Sequence, residues 1–307
     1  MNQALLDHAT QTIEVGSKSF AAAAKLFDPQ TRRSAVMLYA WCRYCDDVVD
    51  GQHLGFGQTN GSGGASQARL AELENATLSA YAGEMMVNPA FAAFQEVIQH
   101  HQIPQRYPLD HLRGFAMDVE GRRYEVISDT LEYCYHVAGV VGLMMAMIMG
   151  ARDAATLDRA CDLGLAFQLT NIARDIVEDA AIGRCYVPAQ WLRDAQIPET
   201  ELAEPQHRVA LAGVAQRLVD LAEPYYESAL QGLPALPLRS AWAIATAHGV
   251  YREIGVKVKA LGHAAWDQRV STSKLDKARL VILGGALALK SRGQSTDPRH
   301  PLWQRPN

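Results

Sequence analysis

Gln168-Leu169-Thr170-Asn171-Ile172-Ala173-Arg174-Asp175-Ile176-Val177-Glu178-Asp179 spaces Gln168, Asn171, Asp175 and Asp179 by 3, 4 and 4. At 3.6 residues per turn these four side chains share one face of an α-helix. The residues between them, Ile172, Ala173, Ile176 and Val177, are apolar. A solvated acidic helix would not surround its polar face in this way, so the stripe is expected to line a polar chamber inside a helical bundle.

Working outward, the same pattern occurs a second time. Tyr39, Arg43, Asp46 and Asp50 are spaced 4, 3 and 4, around the apolar pair Val48 and Val49. Each stripe stacks two aspartates at i and i+4, which costs a few tenths of a kcal/mol by like-charge repulsion. A cation between them would remove that cost. Carboxylates and an amide oxygen are hard ligands suited to Mg²⁺ or Mn²⁺, and Mg²⁺ commonly shares its coordination with substrate phosphates. Calcium loops fit poorly, because their ligands alternate around a glycine turn. A di-iron bundle needs repeated Glu-x-x-His, and the one instance, Glu204-Pro205-Gln206-His207, is broken by proline.

The rest of the chain extends the helical pattern. Pro29 with Asp28 as N-cap predicts a helix over 29–50, and others are predicted at 3–25, 66–85, 88–101, 107–126, 129–150, 153–182, 206–231, 237–262 and 272–290. Convincing β-alternation is absent. Gly51–Ser66 is rich in Gly, Ser, Gln and Asn and reads as a flexible loop. The expectation is one all-α domain over 1–290 and a disordered tail over 291–307, where Pro298, Pro301 and Pro306 fall.

Composition narrows the function. The 307 residues carry a formal charge of −4, with no block of Lys and Arg, which argues against nucleic acid. Charged residues are 20% of the chain, below the usual ~25%, and leave apolar residues for a core or an apolar cavity. Five cysteines, an odd number, point to reduced thiols in a cytoplasm. The N-terminus shows no secretory pattern. Val137–Ala151 is uncharged for 15 residues, short of the ~20 a bilayer needs, and reads as a buried helix rather than a transmembrane segment. Cys42-Arg43-Tyr44-Cys45 lacks the second pair a structural zinc site wants. Gly55-x-Gly57 lacks both the third glycine and the preceding strand of a dinucleotide site.

With these motifs laid out, the chain resembles the squalene/phytoene synthase family, most closely its bacterial carotenoid-forming members. The resemblance runs from Ser17 to about Lys274. It rests on Ser17-Lys18-Ser19-Phe20, on Tyr39 to Arg43 leading into Asp46–Asp50, and on Tyr133-Cys134-Tyr135-His136-Val137-Ala138-Gly139-Val140-Val141-Gly142. The most specific part is Gln168–Asp179 continuing to Gly183-Arg184-Cys185-Tyr186-Val187-Pro188. The resemblance implies an isoprenoid-synthase helical bundle with a central apolar cavity. It implies a prenyltransferase that condenses two geranylgeranyl diphosphates head to head, through a cyclopropyl diphosphate, to phytoene, the first committed step of carotenoid synthesis.

Roles follow from the resemblance position by position. Asp46, Asp50, Asn171, Asp175 and Asp179 match metal-binding positions for Mg²⁺ or Mn²⁺. Ser17, Lys18, Ser19, Tyr39, Arg43, Gln168, Arg174, Tyr251 and Arg269 match diphosphate-contacting positions. Tyr133 matches a tyrosine that handles a proton or faces a carbocation, and Phe20 and Tyr135 are aromatic candidates for the same wall. Some relatives follow the Ser-x-Ser-Phe segment with aromatics, whereas this chain continues Ala21–Ala24, which is expected to deepen an apolar tunnel and favour C20 over C15 chains. Met144, Met145, Met147 and Met149 could line the same tunnel or pack as ordinary core. Two readings compete: dehydrosqualene synthase, which takes two farnesyl diphosphates, and a non-catalytic binder of prenyl diphosphates. Squalene formation would need NADPH and a hydrophobic C-terminal anchor, neither expected here. A lipid product makes peripheral membrane contact an expectation for an otherwise cytoplasmic protein.

Overall fold

Five of the described helix starts are closed by the side chain just before them, the start of the helix Lys18–Ala24 by Ser17. Asp28 Oδ1 accepts from the backbone N–H of Gln30 and Thr31, at 3.1 and 3.0 Å. Asn88 Oδ1 accepts from Ala90 at 2.9 Å, and Asp153 Oδ1 from Thr156 at 2.8 Å. Ser273 and Asp276 cap each other reciprocally. Each supplies an acceptor to first-turn N–H groups that have no partner within the helix.

The computed structural model describes residues 3–51, 63–294, 297–299 and 301–306, and the backbone alone at 18 and 19. Among these it has thirteen α-helices and no strand: α1 (Gln3–Gly16), α2 (Lys18–Ala24), α3 (Pro29–Asp50), α4 (Gly63–Ala82), α5 (Pro89–His101), α6 (Arg106–Val119), α7 (Ile127–Cys134), α8 (Val140–Ile148), α9 (Ala154–Ala181), α10 (Ala189–Asp194), α11 (Arg208–Leu230), α12 (Leu238–Leu261) and α13 (Lys274–Lys290). The all-α expectation holds. Most of the flexible loop expected at Gly51–Ser66 lies outside the described residues.

Three boundaries differ from the sequence pattern. The run over 3–25 breaks at Ser17, whose extended backbone ends α1 and whose Oγ caps α2. The run over 107–126 stops at Val119, because Gly121 takes a positive φ of 62°. The run over 129–150 holds a π-turn at Tyr135–Gly139 between α7 and α8. Hydrophobic periodicity cannot register that single inserted residue. The whole run, Ile127–Ile148, is long and apolar enough to cross a membrane by length and composition, yet 72% of its apolar window is buried inside the bundle, as in a core helix.

At the centre lies α9, packed by α8, the π-turn, α11 and α12, while α3 is held by α1, α4 and α5. The crossing of α9 with α8 and the π-turn is close because glycines occupy it. A Cβ on Gly142 would fall 2.3 Å from the Ala160 carbonyl oxygen, and one on Gly164 would fall 2.4 Å from that of Ala138. The tail departs from the expected disorder. Arg299 and Arg305 pair with Asp162 and Asp158 on α9, each at 2.6 Å, and the Trp303 ring lies 5.6 Å from that of Tyr135. Asp162 is fully buried, so its charge needs a partner, and the tail supplies one.

Candidate functional site

Helices α3, α6, α7–α8, α9 and α12 enclose a cavity of about 470 Å³ whose wall is mostly apolar, with Arg43, Asp46, Asp118, Gln168, Asn171 and Arg184 among its polar lining. Of the residues expected from sequence, Ser17, Phe20, Tyr39, Arg43, Asp46, Tyr133, Gln168, Asn171 and Tyr251 line it. Asp50, Arg174, Asp175, Asp179 and Arg269 do not line it, and of these Asp50 is tied to the lining residue Arg184 by an ion pair. The side chains of Lys18 and Ser19 lie outside the described residues.

The aspartates are neutralised in different ways. Arg43 pairs with Asp46 at 3.1 Å and with Asp47 at 2.8 Å, all on α3. Arg174 donates from Nε to Asp175 Oδ1 at 2.7 Å, and Arg269 reaches Asp175 at 3.0 Å and Glu178 at 2.5 Å. Across the site, Arg184 leaves the loop after α9 and forks onto Asp50 of α3. That bond joins the two acidic helices. Asp50 and Asp175 are well covered, with 12% and 14% of their side chains exposed, against 36% for Asp46. Burial pushes the Asp46 carboxyl up to about 6, with Arg43 opposing and the like charges of Asp50 and Asp47 adding. Asp179 makes no ion pair among the described residues, and burial plus the charge of Asp175 pushes it to about 7. Two turns earlier on the stripe, Asn171 Oδ1 is buried with no hydrogen-bond partner.

Asn171 Oδ1 and the Asp179 carboxylate are hard donors of the kind a divalent cation takes, with Asp175 one turn from each between them. The fit is not yet a closed coordination shell. Among the described residues no three His, Cys, Asp or Glu side chains converge as a metal site. Arginines stand between the carboxylates instead.

A second polar group was not foreseen. Asp118 of α6 lines the cavity and accepts from Tyr133 Oη at 3.2 Å and from Tyr186 Oη at 3.0 Å. The two tyrosine rings stack 4.4 Å apart. Burial raises Asp118 to about 6 and holds the Tyr133 phenol well above its ordinary range, so Tyr133 is neutral at physiological pH. The other acid on its helix, Asp110, lies eight positions away, so the i, i+4 repeat that marked the others is missing. Arg184 and Tyr186 stood within a recognised motif, but spacing assigned them no part. Two further aromatic pairs line the wall: Phe20 stacks on Tyr39 at 5.5 Å and Phe167 on Tyr251 at 4.1 Å.

Some expectations move. Tyr135 is core: it is buried and donates to Asp110 at 2.8 Å, away from the cavity. Met145 and Met149, four residues apart, face the cavity, while Met144 and Met147 pack in the core. Ala21–Ala24 do not line the cavity, and Ala23 and Ala24 are buried in the bundle, so the tunnel-deepening role expected of them is not seen. Phe20 is the last α2 residue on the wall because the helix turns away after it. All five cysteines are free.

The sequence profile of the squalene/phytoene synthase family matches residues 13–276. This chain belongs to that family. Among its relatives, the 15-cis-phytoene synthase of Pantoea ananas is 60% identical over 306 residues, covering 99% of each chain. The 15-cis-phytoene synthase of a Paracoccus strain is 50% identical over 97% of each chain. Among solved structures, a dehydrosqualene synthase in complex with ligand superposes with a TM-score of 0.84 at 29% identity, over 94% of this chain and 98% of the other. The squalene/phytoene synthase fold is thus shared along nearly the whole chain, and both acidic helices fall inside the matched region.

Proposed function

We propose that this protein condenses two geranylgeranyl diphosphates head to head, through a cyclopropyl diphosphate, to phytoene, with release of two diphosphates. The reading is carried by one observation: Asp46 of α3 and Asn171 of α9 line one mostly apolar cavity, together with Arg184, which bonds Asp50 of α3. Two diphosphates would meet these polar groups, and their prenyl chains would lie along the apolar wall. The full-length likeness to proteins named phytoene synthase supports the same reaction.

Asp46, Asp50, Asn171, Asp175 and Asp179 are the groups that would hold Mg²⁺ or Mn²⁺. When bound, the metal neutralises diphosphate and stabilises the negative charge that develops as it leaves. The chain's own cations orient the diphosphates: Arg43, Arg174 and Arg269 already sit among the carboxylates and offer planar donor pairs to phosphate oxygens. Ser17, Tyr39, Gln168 and Tyr251 add neutral donors at the cavity mouth. The apolar wall excludes water, which would otherwise trap an allylic cation as an alcohol. The faces of Phe20, Tyr39, Phe167 and Tyr251 stabilise positive charge without adding to it as nucleophiles. Tyr133 is neutral, so its Oη can take a proton from carbon only as it passes its own to Asp118, and the 3.2 Å hydrogen bond supports that transfer.

The test is product mass from pure protein given C15 or C20 allylic diphosphate with Mg²⁺, each with and without NADPH. A C40 triene-cored hydrocarbon from the C20 substrate, independent of NADPH, is expected. A C30 product alone would favour the dehydrosqualene reading, and binding of both substrates with no diphosphate released would favour a non-catalytic binder. Asp175→Asn should stay folded and lose at least ~100-fold in turnover, the scale of one removed transition-state contact.

A further inference from the structure

The outer face of α13 is apolar where a surface helix should be charged. Inward, Leu280, Gly284 and Ala288 are buried at i, i+4 and i+8, with Gly284 against Thr246 and Gly285 against Trp242 of α12. Outward, Leu275, Ile282 and Leu289 are 80%, 73% and 63% exposed, and Leu283 and Leu287 are exposed beside them. Leu275, Ile282 and Leu289 recur every seven residues, so they form one stripe. From Leu280 to Leu289 no residue is charged. Packing among the described residues leaves Leu275, Ile282 and Leu289 mostly uncovered.

Charge settles which partner this face suits. Within α13 stand four Lys and Arg and one Asp, in a chain whose total is −4. The one acid, Asp276, is already paired with Lys257 at 2.6 Å. Lys274 and Lys290, one at each end of the stripe, are exposed and make no ion pair among the described residues, while Arg279 between them is paired with Glu253 of α12 at 3.1 Å. A second copy docking face to face by two-fold symmetry would set these cations against their own counterparts. An anionic lipid surface meets both features: acyl chains take the leucines and phosphates take the cations. At 17 residues the helix is too short to span a bilayer and suits lying along one.

We infer that α13 docks this protein on the surface of an anionic bilayer, with Leu275, Ile282 and Leu289 in the acyl boundary and Lys274 and Lys290 at the headgroups. The placement suits a lipid-handling cavity. Helix α12 lies between: Ile244, Ala247 and Tyr251 face the cavity, while Trp242 and Thr246 face α13. The bilayer is then one helix away from the cavity wall.

The test is flotation of the full-length protein with phosphatidylcholine vesicles, neutral or carrying about 30% phosphatidylglycerol. The protein should float with the anionic vesicles, less with the neutral ones, and less again in high salt, which screens exposed charge. Ile282→Glu with Leu289→Glu should weaken anionic-vesicle binding at least ~10-fold, because each glutamate removes apolar contact and adds repulsion. Lys274→Glu with Lys290→Glu should weaken it and remove the preference for anionic lipid. Both pairs are exposed, and unchanged circular dichroism and melting confirm the fold. Wild-type protein that stays off anionic vesicles would overturn the inference, as would either variant pair binding like wild type. So would a dimer in lipid-free solution that the Ile282 and Leu289 substitutions dissolve. Turnover is not the readout, so failure here leaves the proposed reaction untouched.

Discussion

Gly164→Ala should damage this protein more than its size suggests. The new Cβ would sit 2.4 Å from the Ala138 carbonyl oxygen and 2.7 Å from both the Ala138 carbonyl carbon and Gly139 Cα. Ordinary van der Waals contact begins near 3.4 Å, so α9 and the π-turn must separate by about 1 Å. All three neighbours are backbone atoms, and no rotamer change can absorb the overlap. Overpacking of this kind costs up to about 3 kcal/mol, and the helix recovers about 1 kcal/mol from the better propensity of alanine, leaving a net loss of about 2 kcal/mol. At roughly 2 °C per kcal/mol for a chain this long, the melting point should fall by about 4 °C. The displaced helix carries Gln168, Asn171, Asp175 and Asp179 away from Tyr133, and a shift of about 1 Å can cost ~100-fold in turnover. The control is Gly213→Ala, on the exposed side of α11 with nothing within 4 Å, which should stabilise by about 0.5–1 kcal/mol and leave turnover alone. Urea unfolding and steady-state kinetics on both proteins read these effects. A Gly164→Ala protein as stable and as active as Gly213→Ala would refute the close-crossing argument.

Other outcomes follow from the site and the tail. Asp46 and Asp179 titrate upward, to about 6 and about 7, so the metal-free fold holds extra protons there and loses that stabilisation as pH rises through those values. Metal binding needs both groups ionised, so the rise in melting temperature on adding Mg²⁺ should be larger at pH 8 than at pH 5.5, as scanning calorimetry can measure. Asp118→Asn keeps the shape but turns one acceptor into a donor facing Tyr133 or Tyr186. Turnover should drop ~10–100-fold with an unchanged fold, seen by kinetics beside circular dichroism. Arg299→Ala leaves Asp162 buried without its cation and should destabilise by about 3 kcal/mol in urea titration, whereas a tail without ordered contacts would give no change.

The acidic faces were legible because both are local. Asp46 with Asp50, and Asn171 with Asp175 and Asp179, each lie within three turns of one helix, where spacing alone assigns a common face. Their apolar neighbours told which way the helices turn. Asp118 was illegible for the opposite reason. Its partners Tyr133 and Tyr186 lie 15 and 68 positions along the chain, and nothing periodic links a single acid to them. The tail misled in a similar way. Three prolines and few apolar residues read as disorder, yet Arg299 and Arg305 are held by Asp162 and Asp158, about 140 residues away. Ala24 shows the same limit, since its neighbours in sequence could not say whether it faces the cavity or the core.

Helical periodicity was enough to read an all-α chain, and two aspartate stripes were enough to single out two helices as candidates for holding a cation, because each of those signals is carried by residues a few positions apart. The tertiary structure decided how the stripes are joined. Arg184 bridges to Asp50 across 134 positions, Asp118 gathers two tyrosines, and paired glycines bring α8 and α9 close enough to enclose one cavity between them. These are meetings of distant segments, set by how helices pack, and no local pattern encodes them.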